Sequence, residues 1–305
     1  MDLVLEAIHE GPNFKFKLSY SRQLYDDTIV QNFMEQFIIT LQRCCNDGDN
    51  RMLADLAELP DSQRRQILCD FPGKTVEGWG GRTVISLFKE QASKTPDNAA
   101  VVFKKKTLSY SQLDKVTDRL AVHLKKMGAG RGSVVGIMVN RSLMMPIGAL
   151  AVLKTGAAYL PLDPGYPADR LRYMLQDANV KTLICDSDLL DRVPEYSGFI
   201  VESAILDTLP AVEAPEDMSR PKDLFILLYT SGTTGKPKGV MLTNANIVNY
   251  LHFYADSYKL SESDNITAYA SFGFDAHMLD LYPTLLKGAC LHILPEEMRL
   301  DLPGI

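Results

Sequence analysis

From Thr83 onward the chain alternates helix-like and strand-like segments, and this alternation limits the fold more than any other feature. Thr83 can cap a helix that runs to about residue 94, and Ala99–Phe103 is a short apolar strand. Leu113, Val116, Leu120, Leu124 and Met127 form a helical stripe closed by Gly128. Strands are predicted over residues 134–139, 158–162, 180–185 and 225–229. Helices over 141–154, closed by Gly156, and over 168–178 separate the first three. Residues 187–223 are less regular. A short strand at 240–242, a helix at 244–258, a strand at 266–270, a helix at 278–286 and a strand at 290–294 complete the series. Such spacing implies βαβ units: an α/β fold with a largely parallel sheet and helices on both faces.

One strand empties into an unusual loop. Phe225, Ile226, Leu227, Leu228 and Tyr229 lead into Thr230, Ser231, Gly232, Thr233, Thr234, Gly235, Lys236, Pro237, Lys238 and Gly239. Glycines let backbone approach an anion, and exposed N–H groups in such a turn make an anion-binding concavity. Four hydroxyls add donors, and Lys236 and Lys238 add cationic charge, so the loop suits a polyphosphate. A P-loop is excluded. Pro237 stands where the Mg²⁺-binding hydroxyl is required, and it disfavours helix at Lys236. A flexible Gly/Thr surface loop is the plain alternative.

Bulk properties narrow the class. The 305 residues carry 32 basic and 38 acidic side chains, a net charge of −6, and no basic stripe suited to nucleic acid. No apolar run approaches the ~18 residues of a membrane span, and residues 1–10 have acidic groups where an export signal has basic ones. Cys44, Cys45, Cys69, Cys185 and Cys290 include no C-x-x-C and read as reduced, mostly buried thiols of a cytoplasmic protein. His9, His123, His252, His277 and His292 show no metal spacing.

The first ~70 residues differ in texture. Phe14, Phe16, Leu18 and Tyr20 alternate with polar residues as a half-buried strand does. Ile29, Val30, Phe33, Met34, Phe37, Ile38 and Leu41 predict an amphipathic helix from Thr28. A second short helix carrying Ile67 and Leu68 is predicted to start at Asp61, with Asp61 as its cap. Residues 71–82, with four glycines and a proline, read as an interdomain linker.

The loop string resembles the signature of the adenylate-forming superfamily, over about ten consecutive positions. Further segments sharpen the resemblance to nonribosomal peptide synthetase adenylation domains. Leu108-Ser-Tyr-Ser-Gln-Leu-Asp114 is similar to their first core motif. Residues 153–163 (LKTGAAYLPLD), continuing through Pro167 to Arg170 and Leu171, are similar to the second. Ser271-Phe-Gly-Phe-Asp-Ala276, running on to Leu294, is similar to the fourth. Residues 1–70 resemble the end of a condensation domain, although the two adjacent histidines of its catalytic motif occur nowhere. Residues 83–305 then correspond to the N-terminal part of an adenylation domain, truncated.

The resemblance implies a reaction of amino acid with ATP and Mg²⁺ to aminoacyl-adenylate and pyrophosphate, for secondary-metabolite peptide synthesis. Thr230 to Gly235 and Gly239 would hold the β- and γ-phosphates, with Lys238 favoured over Lys236 as the cation. Asp275 would pair with the substrate ammonium, a charge-assisted contact, and Ala276 and Leu279 would line the side-chain pocket. Asp275 could instead cap the helix that follows it. The catalytic lysine, the adenine-stacking segment and most Mg²⁺ ligands would lie beyond Ile305. Phosphopantetheine would belong to a carrier domain downstream, and a hydrophobic patch is expected near residues 272–294. The resemblance implies an amino acid, the rest of the adenylation domain and that carrier as partners, with no nucleic acid or membrane. An acyl- or aryl-CoA ligase and a non-catalytic interaction fragment are the alternative readings.

Overall fold

The computed structural model describes residues 2–46, 59–71, 80–193, 195–230 and 236–300. The chain forms two compact units, Met1–Val76 and Glu77–Ile305.

In the first unit, β1 (Leu3–Glu10) and β2 (Asn13–Tyr20) pair antiparallel, with Gly11 at φ +64° in the turn. β2 half-buries Phe16, Leu18 and Tyr20 and exposes the residues between them, as its alternation predicts. Phe14 is exposed, against expectation, because it lies at the turn end of the hairpin. Helix α1 (Asp27–Asn46) places Phe37 edge-on to Phe16, ring centroids 5.3 Å apart. Helix α2 (Asp61–Arg65) corrects the cap assignment: Pro60 occupies the N-cap with no side-chain bond. Asp61 is the first helical residue, where its charge complements the helix N-terminus. Ile67 and Leu68 follow in a π-helical turn over Gln66–Asp70 and are exposed. Most of the 71–82 linker lies outside the described residues.

The second unit holds α3 (Val84–Lys94), β3 (Ala99–Phe103), β4 (Lys106–Ser109), α4 (Tyr110–Lys126), β5 (Val134–Met138) and α5 (Met144–Lys154). It continues with β6 (Ala158–Pro161), α6 (Ala168–Asp177), β7 (Thr182–Cys185), β8 (Phe199–Glu202) and β9 (Leu224–Thr230). β10 (Lys238–Thr243), α7 (Asn244–Ser257), β11 (Asn265–Ala268), α8 (His277–Leu286) and β12 (Cys290–Ile293) complete it. The helix starts are written locally. Thr83, Ser109 and Thr243 each accept from the backbone N–H three residues on, and Ser86, Gln112 and Asn246 answer with capping-box bonds. Gly128 (φ +87°) and Gly156 (φ +84°) supply the left-handed turns that end α4 and the loop after α5. α5 begins three residues later than predicted, which leaves Arg141 in a loop.

Among the described residues of this unit the strands divide into two sheets. One has the order β10-β9-β6-β5-β7-β8, parallel throughout except where β10 returns against β9. The other has the order β11-β12-β3-β4, parallel except for the β3–β4 hairpin. The α/β class stands, with two sheets rather than one. All eleven residues of α5 are buried, and apart from Lys154 at its end the helix is apolar on every face and lies within the core. The expected patch at residues 272–294 is largely absent: Phe272, Met278, Leu281, Tyr282, Leu285, Leu291 and Ile293 are buried, and only Phe274 there is an exposed large apolar residue. Exposed aromatics instead mark α7, at Tyr250 and Phe253, with Tyr258 just beyond its end. The cysteine reading also changes: Cys44, Cys45 and Cys69 are free and exposed, Cys185 is buried and Cys290 partly so. Among the described residues no helix is long and apolar enough to cross a membrane.

Candidate active site

The parallel strands β5, β6 and β9 deliver their following loops to one edge of the sheet, the carboxyl edge where open α/β sheets bind ligands. Thr230 is the last residue of β9, and Lys238 opens β10 directly across from it. Chain reversal therefore occurs between these two residues. Ser231, Gly232, Thr233, Thr234 and Gly235 lie outside the described residues. Lys236 and Lys238 are exposed, and neither forms an ion pair with a described residue.

The base of this hairpin is pinned from below. Tyr229 Oη donates to Asp177 Oδ2 of α6 at 2.6 Å, and its ring meets Tyr173 edge-on at 6.3 Å. Burial, reinforced by the Asp177 carboxylate, raises the Tyr229 phenol above its ordinary pKa, so it remains a donor. Gly239 lies opposite Tyr229 in β10. A Cβ at this position would sit 3.1 Å from Leu227 Cδ1 and 3.4 Å from Tyr229 Cζ, so glycine lets both side chains lie against the strand.

The second candidate element is the loop between β11 and α8. Asp275 is exposed there, and Ala276 and Leu279 are half-buried. The capping alternative for Asp275 is not realised: Ala276 is the N-cap and no side chain caps the helix. Among the described residues the Asp275 carboxylate has no hydrogen-bond or ion-pair partner. It is free to meet a ligand.

The loop beneath it is fastened to the segment that follows β6. Ser271 Oγ donates to Asp163 Oδ2 at 2.5 Å, and Tyr166 Oη donates to the Gly273 carbonyl at 3.3 Å. A Cβ on Gly273 would approach Asp163 Cβ to 2.9 Å and Tyr166 Oη to 3.0 Å, so no other residue fits without displacing them. Asp280 accepts from the Tyr269 and Ala270 N–H groups at 2.9 and 3.0 Å. Burial raises its pKa, while those two N–H groups and the Arg141 charge pull the other way. Arg141 donates to the Leu294 carbonyl at 2.6 Å, to that of Ala270 at 2.9 Å, and to that of Ala268. The second and fourth motifs, which read as packing and binding when taken separately, are thus one assembly. Tyr166, Arg141 and Asp280 carry no sequence signal for this role. Only Asp163, closing the LPLD string, has a local one.

A cleft of about 460 Å³ opens beside this assembly, with Asn140, Arg141, Asp163, Ser271, Phe272 and Arg299 in its wall. A larger one, about 750 Å³, lies between α6 and residues 192–199. That cleft belongs to the β7–β8 end of the sheet, away from β9 and β10, so size does not select the site. Among the described residues no cluster of three or more His, Cys, Asp or Glu side chains could hold a metal.

Comparison with known proteins identifies the family. The AMP-binding enzyme family matches residues 88–305. Tyrocidine synthase 3 of Brevibacillus parabrevis is 37% identical over 312 residues, covering 99% of this chain and 5% of its own length. Bacitracin synthase 2 of Bacillus licheniformis is 35% identical over 306 residues, covering 99% of this chain and 12% of its own length. The chain therefore spans a small fraction of these relatives. A four-domain nonribosomal peptide synthetase, solved with AMP and glycine, superposes on 98% of this chain and 22% of its own with TM-score 0.81 at 24% identity, a likeness of fold. The N-terminal subdomain of NpsA from Klebsiella oxytoca, solved with 3-hydroxybenzoyl-AMSN, matches 72% of this chain and 56% of its own with TM-score 0.63 at 29% identity.

Proposed function

This chain belongs to the AMP-binding enzyme family, and from that premise we propose that it forms part of a nonribosomal peptide synthetase module that activates an amino acid. The observation that carries the reading is the uncommitted Asp275 carboxylate on a loop fastened to the carboxyl edge of the sheet. In the proposed reaction a carboxylate oxygen of the amino acid attacks the α-phosphorus of ATP. The bond from that phosphorus to the bridging oxygen breaks, and pyrophosphate leaves. Positioning and charge neutralisation dominate such a transfer.

Each residue has a role in this account. Thr230, Ser231, Gly232, Thr233, Thr234 and Gly235 cradle the β- and γ-phosphates, with Gly239 at the base of the hairpin. Lys238, favoured by the resemblance to the family's motif and paired in register with Thr230, is the first cation and Lys236 the second. Asp275 pairs with the α-ammonium, and Ala276 and Leu279 border the substrate side chain. Mg²⁺ carried with the triphosphate supplies further neutralisation of phosphate charge. The rest of the adenylation domain and a carrier domain bearing phosphopantetheine are the proposed partners.

Residues 1–70 are proposed as the end of a condensation domain and 71–82 as the connector, with 83–305 the adenylation part. The likeness to tyrocidine synthase 3 supports this, since it extends over 99% of the chain and so includes residues before 88. A cytoplasmic setting, with a peptide secondary metabolite as product, follows from the same reading and from the unpaired cysteines. The aryl ligand of the NpsA subdomain suggests an aryl acid as the alternative substrate. Asp275 speaks against it, because a neutral ring leaves that charge unmatched. Pyrophosphate release measured over the twenty amino acids and their 2-hydroxy analogues tests the proposal: one or a few amino acids should be active and their analogues silent. Equal activity with the analogues would contradict it.

A further inference from the structure

His277 follows Asp275 by two residues and is 3% exposed. Its Nδ1 lies 2.5 Å from the Phe274 carbonyl and its Nε2 lies 2.8 Å from Tyr159 Oη. Tyr282 Oη donates in turn to Tyr159 Oη at 2.9 Å, and both phenols are fully buried. The proton inventory has one consistent solution. Tyr159 accepts from Tyr282, so its own proton goes to Nε2; a carbonyl can only accept, so the imidazole proton sits on Nδ1. Burial holds His277 neutral by lowering its pKa to about 4, against a smaller upward pull from the Phe274 carbonyl and the Asp275 charge. Phe272 closes the site, its ring 4.8 Å from that of His277 and 6.1 Å from that of Tyr159.

The chain of bonds ends on the carbonyl of the peptide that leads into Asp275. The His277 backbone N–H also donates to that oxygen, at 3.2 Å, so main chain and side chain clamp it together. We infer that His277 is a positioning residue: the Tyr282–Tyr159–His277 relay fixes the Phe274–Asp275 peptide and so places the Asp275 carboxylate for the substrate ammonium. This rests on the reading of Asp275 given above. Tyr159 comes from β6 and Tyr282 from α8, so the relay also ties the loop to both sheet and helix. The charged groups near the ring are Asp275, which is exposed, and Asp280, already committed to two backbone N–H groups.

Two measurements test it. In the chain itself, ¹⁵N NMR of the histidine ring should show a neutral Nδ1–H tautomer that does not titrate between pH 5 and 8. Tyr159→Phe should move the Nε2 resonance. An Nε2–H tautomer would overturn the relay. In the amino-acid-activating enzyme that contains this chain, His277→Leu should raise the KM for amino acid about five- to tenfold, the scale of one lost buried hydrogen bond, with the KM for ATP unchanged. His277→Asn, which keeps a donor for the Phe274 carbonyl, should restore most of the loss. If Asp275→Ala raises that KM while folded His277→Leu does not, the positioning role is wrong. If Asp275→Ala leaves it unchanged, the reading beneath it fails as well.

Discussion

The Lys154 ammonium lies 2.5 Å from the Asp114 carboxylate, with only 1% of the lysine side chain exposed. Asp118, one turn further along α4, meets the same ammonium at 2.7 Å, and the Asp114 carbonyl accepts from it at 2.9 Å. The bond joins the last residue of the first motif string to the second residue of the next motif string, LKTGAAYLPLD. Two segments that read as separate packing elements in the sequence are therefore held together by a buried, fully bonded charge.

Removing one partner of such a group strands the others. Lys154→Met should destabilise the protein by about 3–5 kcal/mol, because it leaves two carboxylates facing an apolar side chain without a counter-charge. Adding Asp114→Leu and Asp118→Leu to that variant should recover much of the loss. Urea unfolding at neutral pH checks this, and a loss below about 1 kcal/mol for the single variant would count against a buried network.

Packing is as tight in the central sheet. A Cβ at Gly136 in β5 would stand 2.8 Å from Leu183 Cδ1 and 3.3 Å from Val180 Cγ1. Both are side-chain ends that can shift, so Gly136→Ala should cost about 1–3 kcal/mol rather than abolish folding. Thermal unfolding of the purified variant measures it.

His277 makes stability depend on pH. Its folded pKa of about 4 lies below the ordinary 6.5, so between those values the unfolded chain binds more protons. Stability should therefore fall as pH drops from about 6.5 towards 4 and level off below that. A tenfold difference in proton affinity between the folded and unfolded chain is worth about 1.4 kcal/mol, so the whole fall is up to about 3–4 kcal/mol. His277→Asn should flatten this part of the profile, as read by denaturant midpoints across the range.

Much of the architecture is legible in the sequence because its causes are local. Thr83 and Gly128 mark helix ends by their own chemistry, and apolar runs such as Ala99–Phe103 form strands with those bounds. β4 and β8 escape such a reading because each is a short edge strand defined by the one neighbour it pairs with. The proposed roles of Asp275, Ala276 and Leu279 come from their motif alone, and Asp275 does not form the helix cap that competed for it. Asp163 has only the LPLD string to mark it, and the roles of Tyr159 and His277 are not legible. Their partners lie 108 and 118 residues away, and no local pattern encodes such contacts.

Amino-acid-dependent exchange of pyrophosphate into ATP tests the central claim most directly, using Asp275→Ala beside the parent enzyme. Asp275 is exposed and unbonded, so the variant should keep its stability within about 0.5 kcal/mol. The account predicts that the folded variant loses exchange while the parent exchanges with an amino acid and ignores the matching carboxylic acid without the amino group. Near-parental exchange by the variant, or exchange by the parent with that carboxylic acid, would contradict it.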